Sequence, residues 1–273
     1  MSNIIMGVVT YNRIAYFSHL IETWDKTRNK NHTYTLIIAD DGSKDGTREY
    51  IDGLKFDNVD IKVSLNERCG VHHQINQILR LSQSIKFDIG FMSEDDMYFS
   101  KSGWDDLYLK AKQKSGHDHL CFFDEEWARS HGRPQACKPE PYASEGRLLQ
   151  SKVNTFWNAF GCFWTFTPKV IEKVGFFDLK NMGLWGNGHT DYSARCCRAG
   201  FNDRMIFCDA YESENYIKMI DKNYVPSLKG EEINFASVYG MPDGGHKGKT
   251  IDDKKRIYIE YNELPYNMHG KPK

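Results

Sequence analysis

The 273-residue chain has only eight prolines and no run near the roughly 20 apolar residues that a membrane-spanning helix needs. Its first thirteen residues, MSNIIMGVVTYNR, lack a basic flank leading into an apolar stretch and a small-residue cleavage site, so no secretory signal is expected. The seven cysteines form no C-x-x-C pair, which argues against a zinc ribbon or a disulfide framework. The adjacent Cys196 and Cys197 fall in a helix-like run, where their side chains diverge by about 100°. Reduced, mostly buried thiols in a cytoplasmic protein fit that usage. An excess of charge is also missing: 36 basic against 37 acidic side chains leave a net −1. That balance argues against a nucleic-acid binder that works through a broad basic field. What is present is an aromatic content of 14% and 22 glycines, on a chain long enough to bury a substantial core without staples. Such a composition suits an ordered enzyme better than a disordered or repetitive protein.

The first hundred residues alternate between two periods. Short apolar, β-branched runs at Ile4–Thr10, Thr35–Ala39, Ile61–Leu65 and Phe87–Met92 predict strands. Between them, Phe17, Leu20, Ile21 and Trp24 fall at helical spacing, as do Val71, Ile75, Ile78 and Leu79. A short helix over Gly46–Leu54 is expected, capped by Ser43 or Asp45. Strand–helix alternation implies right-handed crossovers and an α/β fold with a mainly parallel sheet. The second half is less regular. It predicts a helix over Trp104–Lys112, strands over Leu120–Asp124 and Ala159–Thr167, and a helix starting near Pro168. A further helix is expected over His189–Arg198, stopping at Gly200, with a last strand over Arg204–Cys208. Ser130–Lys152 reads as a polar excursion, and Met241–Thr250 as a mobile Gly- and Lys-rich segment.

Ligands of open parallel sheets sit beyond the carboxyl ends of the strands. Three predicted strands end in polar clusters: Thr10-Tyr11-Asn12-Arg13, Asp40-Asp41, and Glu94-Asp95-Asp96. If the strands are parallel, the clusters share one rim. Three consecutive acids repel one another and resist burial unless they face solvent or a cation. Mn²⁺ or Mg²⁺ would suit them, with phosphate oxygens and water completing the shell; an acidic turn capping the next helix is the plainer alternative.

In this order and spacing the clusters resemble family 2 glycosyltransferases of the GT-A fold, over roughly residues 3–205. The matching pieces are Thr10-Tyr11-Asn12-Arg13, Asp40-Asp41-Gly42-Ser43 with Asp45-Gly46-Thr47, then Asn66, Gly70 and Asn76, then Glu94-Asp95-Asp96. The resemblance implies a Rossmann-like sheet flanked by helices, with an acceptor-side elaboration in the second half. No internal repeat and no linker are evident in the sequence, so one domain is expected over 1–273: a nucleotide-sugar half at 1–100, an acceptor and catalytic half at 101–215, and a flexible loop and tail at 216–273. By the same likeness, Thr10 and Tyr11 would contact the base, and Asp40 would accept from uracil N3–H of a UDP-sugar. Arg13, Asp41, Asn76 and Glu94 would line the nucleotide-sugar pocket. Asp95 and Asp96 would face the metal, with Asp95 also touching the donor. Glu94 stands where the first Asp of a D-x-D motif is usual, so Asp95, Asp96 or both remain open as ligands. His246, in a Gly-Lys loop, is a candidate third ligand, a solvated basic loop being the alternative.

In the second half, Trp185-Gly186-Asn187-Gly188-His189-Thr190-Asp191 and Arg195 resemble the family's W-G and E-D-x-D-x-x-x-R signatures. Gly188 and His189 replace the usual acidic pair, which leaves His189 and Asp191 jointly as candidates for the base that deprotonates an acceptor hydroxyl. Trp157 and Trp185, flanked by Asn158, Gly186 and Asn187, are the candidates to stack on an acceptor sugar; Phe163, Trp164 and Phe166 read as core. His72-His73, His117 and His119 lack a partner set for zinc. The activity implied is metal-dependent, inverting transfer from a nucleotide sugar to a glycan or lipid-linked acceptor, as in surface polysaccharide synthesis. A silent nucleotide-sugar-binding module and a sugar nucleotidyltransferase are the alternatives. The late Lys254-Lys255-Arg256 with Lys271 and Lys273 leaves open peripheral contact with the inner face of a membrane, against a solvated tail.

Overall fold

The structure is a computed structural model, and it describes residues 1–124, 140–142, 148–150, 161–184, 188–202, 208–210, 212–220 and 256–263. Its centre is a five-stranded sheet built from β1 (Asn3–Thr10), β2 (Thr33–Asp40), β3 (Val59–Leu65), β4 (Ile89–Glu94) and β8 (Phe163–Phe166). The order is β3-β2-β1-β4-β8, parallel throughout except for β8, which runs antiparallel to β4. Helices α1 (Ile14–Thr27), α2 (Thr47–Gly53) and α3 (Val71–Ser82) make the crossovers. Beyond them lie β5 (Met97–Phe99), α4 (Trp104–Ser115), β6 (Glu140–Tyr142), β7 (Leu148–Gln150), α5 (Pro168–Val174), α6 (Leu179–Met182), α7 (Gly188–Arg198), β9 (Cys208–Ala210) and β10 (Ile217–Met219).

The alternation of side chains along β1 explains the layering. Ile4, Met6 and Val8 face Phe17, Leu20, Ile21 and Trp24 of α1, joined there by Trp104 and Tyr108 of α4. Ile5 and Val9 face the opposite layer, with Ile75, Ile78 and Leu79 of α3 and Val170, Ile171 and Val174 of α5. Because both faces are covered, the strand is a continuous apolar run rather than an alternating one. The aromatic core residues Phe163, Trp164 and Phe166 are buried as expected, and five of the six described cysteines are buried. Among the described residues no helix is long and apolar enough to cross a membrane.

One expected strand differs. Residues 120–124 form no ladder, because their hydrogen bonds are divided between two neighbours. Cys121 N–H donates to Cys208 O at 2.7 Å, while Phe122 N–H donates to Phe163 O at 2.9 Å. Among the described residues a single bridge, Cys121 to Trp164, results.

The same region joins β8 to α7 through a buried histidine. His119 donates Nδ1–H to Thr165 O at 2.8 Å, which leaves Nε2 to accept from the Ser193 hydroxyl at 2.8 Å. Burial pushes the imidazole down to about 4, with the Thr165 carbonyl opposing. The folded state therefore binds this proton less readily than the unfolded chain. Its contribution to stability is complete above the ordinary value of 6.5 and is lost as pH falls toward about 4. Replacing His119 by glutamine is expected to cost about 1–3 kcal/mol at neutral pH and to flatten the fall in stability across that interval. Urea unfolding of both proteins as a function of pH checks this; parallel curves would contradict it.

Candidate active site

Strand register brings the three polar clusters together. Thr10 pairs with Asp40 across β1 and β2, and Val9 pairs with Glu94 across β1 and β4. The ends of three parallel strands thus form one rim. Gly42 makes the turn after β2 possible: its φ is +85°, and a Cβ there would lie 2.9 Å from Asn66 O.

The rim is tied together by side chains. Asp40 is buried and accepts from Ser43 N–H at 3.1 Å and from the Ser43 hydroxyl. The Ser43 hydroxyl accepts from Asn12 N–H at 2.8 Å, and Asn12 Oδ1 accepts from Lys44 N–H at 2.7 Å. Asp45 splits its carboxylate, one oxygen taking Ile14 N–H at 2.8 Å and the other the Thr47 hydroxyl at 2.6 Å. One carboxylate therefore serves the starts of both α1 and α2, where the helix dipole favours it.

Asp41 is a buried junction. It accepts from Arg68 Nη1 at 2.8 Å, Gly70 N–H at 2.9 Å, Gln74 Nε2 at 2.6 Å, and Cys69 N–H. Burial raises its carboxyl above the ordinary range, opposed by Arg68 and these donors. Arg68 also stacks on Tyr11, its guanidinium carbon 3.4 Å from the ring centre. One face of Tyr11 is thereby covered. The sequence reading missed Arg68; the basic residue between Asn66 and Gly70 was its signal. Asn76 proves to be fully buried, donating to Phe177 O at 3.0 Å and accepting Phe177 N–H at 2.7 Å. Its amide fastens α3 to the loop after α5.

At the end of β4 the acids meet Arg13. Asp95 accepts from Thr10 Oγ1 at 2.8 Å and from Arg13 Nη1 at 2.6 Å. Asp96 lies 3.4 Å from Arg13 Nη2, and its other oxygen, Oδ1, is buried with no hydrogen-bond partner. Burial and the neighbouring Asp96 and Asp95 charges push Glu94 up to about 8, with Arg13 opposing. Burial pushes Asp95 up to about 6, against the pull of Arg13. Among the described residues no three His, Cys, Asp or Glu side chains converge as a ready metal cage. Two carboxylates with an unsatisfied buried oxygen nonetheless fit a hard cation of the kind bound by one or two carboxylates plus substrate phosphates.

The start of α7 lies against the start of α3. A Cβ at Gly188 would fall 2.5 Å from His72 Nε2, and His72 donates Nδ1–H to Gly183 O at 2.8 Å. His189 lies over Gly161, where a Cβ would come within 2.7 Å of its ring. The next residue, Cys162, accepts Glu94 N–H at 2.8 Å, so His189 and the acids are joined by a short stretch of backbone. Asp191 is placed differently. One oxygen accepts from Arg195 Nε at 2.8 Å and the other from Arg256 Nη2. Arg256 also pairs with Asp178. Arg195 is fully buried and donates further to Val174 O at 2.7 Å and Phe176 O at 2.8 Å. The segment 256–263 completes this clamp: Ile259 N–H donates to Val174 O at 3.1 Å, and Ile259 O accepts Phe176 N–H at 3.0 Å. Arg256 was not singled out in the sequence as a partner of Asp191. His246, Trp157 and Trp185 lie outside the described residues.

Residues 6–175 match the family model described as Glycosyl transferase family 2. The chain is 24% identical over 237 residues to an uncharacterized glycosyltransferase of Acanthamoeba polyphaga mimivirus, covering 86% of this chain and 81% of that one. Among solved structures it is similar to S. aureus TarS 1-349 in complex with UDP, with a TM-score of 0.50 and 14% identity. That match covers 81% of this chain, which spans 61% of the TarS chain. A mannosyltransferase from Pyrobaculum calidifontis in complex with GDP-Man and Mn²⁺ is similar at a TM-score of 0.49 and 14% identity, over 76% of this chain and 56% of that one.

Proposed function

The chain belongs to glycosyl transferase family 2, and from that premise we propose that it is a metal-dependent, inverting enzyme moving a sugar from a UDP-sugar to an acceptor hydroxyl of a glycan or lipid-linked glycan. The observation that carries this is the acid pair following β4, where Asp95 accepts from Thr10 and the buried Asp96 Oδ1 is unsatisfied. Asp95 and Asp96 would hold Mn²⁺ or Mg²⁺, which when bound supplies positive charge to a departing diphosphate. Thr10 orients Asp95 through its hydroxyl. The Asp40 carboxylate at the rim supports uracil as the base. Tyr11, backed by Arg68, offers its other face to a planar ring.

On the acceptor side, His189 is the favoured base and Asp191 a positioning residue. Both oxygens of Asp191 are engaged by arginines, and His189 sits over Gly161, next to the Cys162 carbonyl that accepts Glu94 N–H. Proton removal by the imidazole lets the acceptor oxygen attack the anomeric carbon opposite the diphosphate, which inverts that centre.

A panel of UDP-sugars and GDP-mannose, assayed for nucleoside diphosphate release with Mn²⁺ and candidate acceptors, tests the assignment. UDP release that depends on both metal and acceptor is expected. Pyrophosphate release, or tight binding without turnover across the panel, would overturn it.

A further inference from the structure

Two arginines in this chain hold carboxylates in contrasting ways. Arg195 is fully buried, and its Nε, Nη1 and Nη2 all have well-formed acceptors: Asp191, Val174 O and Phe176 O, between 2.7 and 2.8 Å. It is a permanent brace. Arg13 also has a carboxylate partner, but its bonds are incomplete. Its Nη1 reaches Asp95 at 2.6 Å while Nη2 stands 3.4 Å from Asp96, where a two-pronged pair usually brings both prongs to about 2.7–2.9 Å. Its Nε is buried without a hydrogen-bond partner, and so is Asp96 Oδ1. The side chain keeps 12% of its surface exposed and lies over the Tyr16 ring, 4.8 Å from its centre.

From this contrast we infer that Arg13 is an exchangeable counter-cation for Asp95 and Asp96, one that competes with a divalent ion for the same carboxylates and yields them when a nucleotide diphosphate binds. The inference rests on the metal-dependent reading above. Two acids beside Glu94 need positive charge nearby to remain ionised without a metal. A guanidinium supplies it and cannot lose its proton, so that charge leaves only if the side chain moves. The orphaned Asp96 oxygen shows that Arg13 neutralises the pair without saturating it. A small hard cation can use that oxygen; the fixed fork of the guanidinium does not reach it. Metal alone must evict Arg13. Metal arriving with a diphosphate brings further oxygen ligands and an anion that the guanidinium can face instead. The affinities for metal and nucleotide are then reciprocally coupled.

Mn²⁺ binding measured by electron paramagnetic resonance, with and without UDP, tests this on the wild type, Arg13→Gln and Arg13→Lys. Without UDP, Arg13→Gln is expected to bind Mn²⁺ about tenfold more tightly than wild type, and with UDP the gap should close to about threefold or less. Arg13→Lys, which keeps the charge, should stay near wild type. If wild type binds Mn²⁺ and Arg13→Gln binds it no more tightly, Arg13 merely props the acids and the inference fails. If no form binds Mn²⁺ even with UDP, the metal-dependent reading fails and takes this with it. Should Arg13→Gln not fold by circular dichroism, the wild type decides alone. Its Mn²⁺ affinity must rise about tenfold or more with UDP, and equal affinity overturns the coupling.

Discussion

Replacing Asp95 by asparagine is expected to slow sugar transfer by about 10²–10³-fold, the scale on which losing one electrostatic contact to a developing charge acts. Asp95 directly follows β4 and accepts from both Thr10 and Arg13. Asparagine preserves the volume and can still accept from the threonine, so the rim should stay folded. What it removes is the negative charge that a cation on the diphosphate would be held by. The comparison is of kcat at saturating donor and Mn²⁺, with circular dichroism confirming the fold. Retention of more than about a tenth of the wild-type rate would move the diphosphate site elsewhere.

The second large effect separates two neighbours on α7. His189→Ala is expected to lower kcat by about 10²–10⁴-fold while leaving the KM for the donor near wild type, as removal of a general base does. Asp191→Asn should act on stability instead, costing about 1–3 kcal/mol because it weakens the pairing of a fully buried arginine. Steady-state kinetics and urea unfolding on both variants distinguish the roles. The reverse pattern would give the proton to Asp191. Near-normal turnover in both would remove this helix from the chemistry altogether.

The convergence of the three polar clusters on one rim was legible in the sequence. Apolar runs ending abruptly in Asn12-Arg13, Asp40-Asp41 and Glu94-Asp95-Asp96 announce strands whose ends are polar, and parallel pairing then forces the ends together. What a run of letters does not carry is which partner each polar group takes. Asn76 reads as a pocket residue, but its amide is occupied by the backbone of Phe177, 101 positions away. Arg68 shows its meaning only when Tyr11 and Asp41 are folded against it. The Asp191–Arg195 pair was readable as an i,i+4 contact on a helix. Arg256 was not, because nothing local points across 65 residues. Leu120–Asp124 has the composition of a strand, yet its hydrogen bonds go to two neighbours, and composition cannot count neighbours.

The clamp formed by Arg256 on Asp178 and Asp191 has a consequence in the order of synthesis. Chains emerge at about 5–20 residues per second and fold from the amino end as units become complete. The parallel strands and the Asp95–Arg13 contact draw only on the first hundred residues and can assemble early. The helix bearing His189 emerges next, but the arginine that secures Asp191 follows only at position 256. During translation the rim formed by the ends of β1, β2 and β4 can be finished while α7 still lacks its brace. On the proposed assignment, a chain stalled before that arginine would carry its donor site ahead of the helix that uses it.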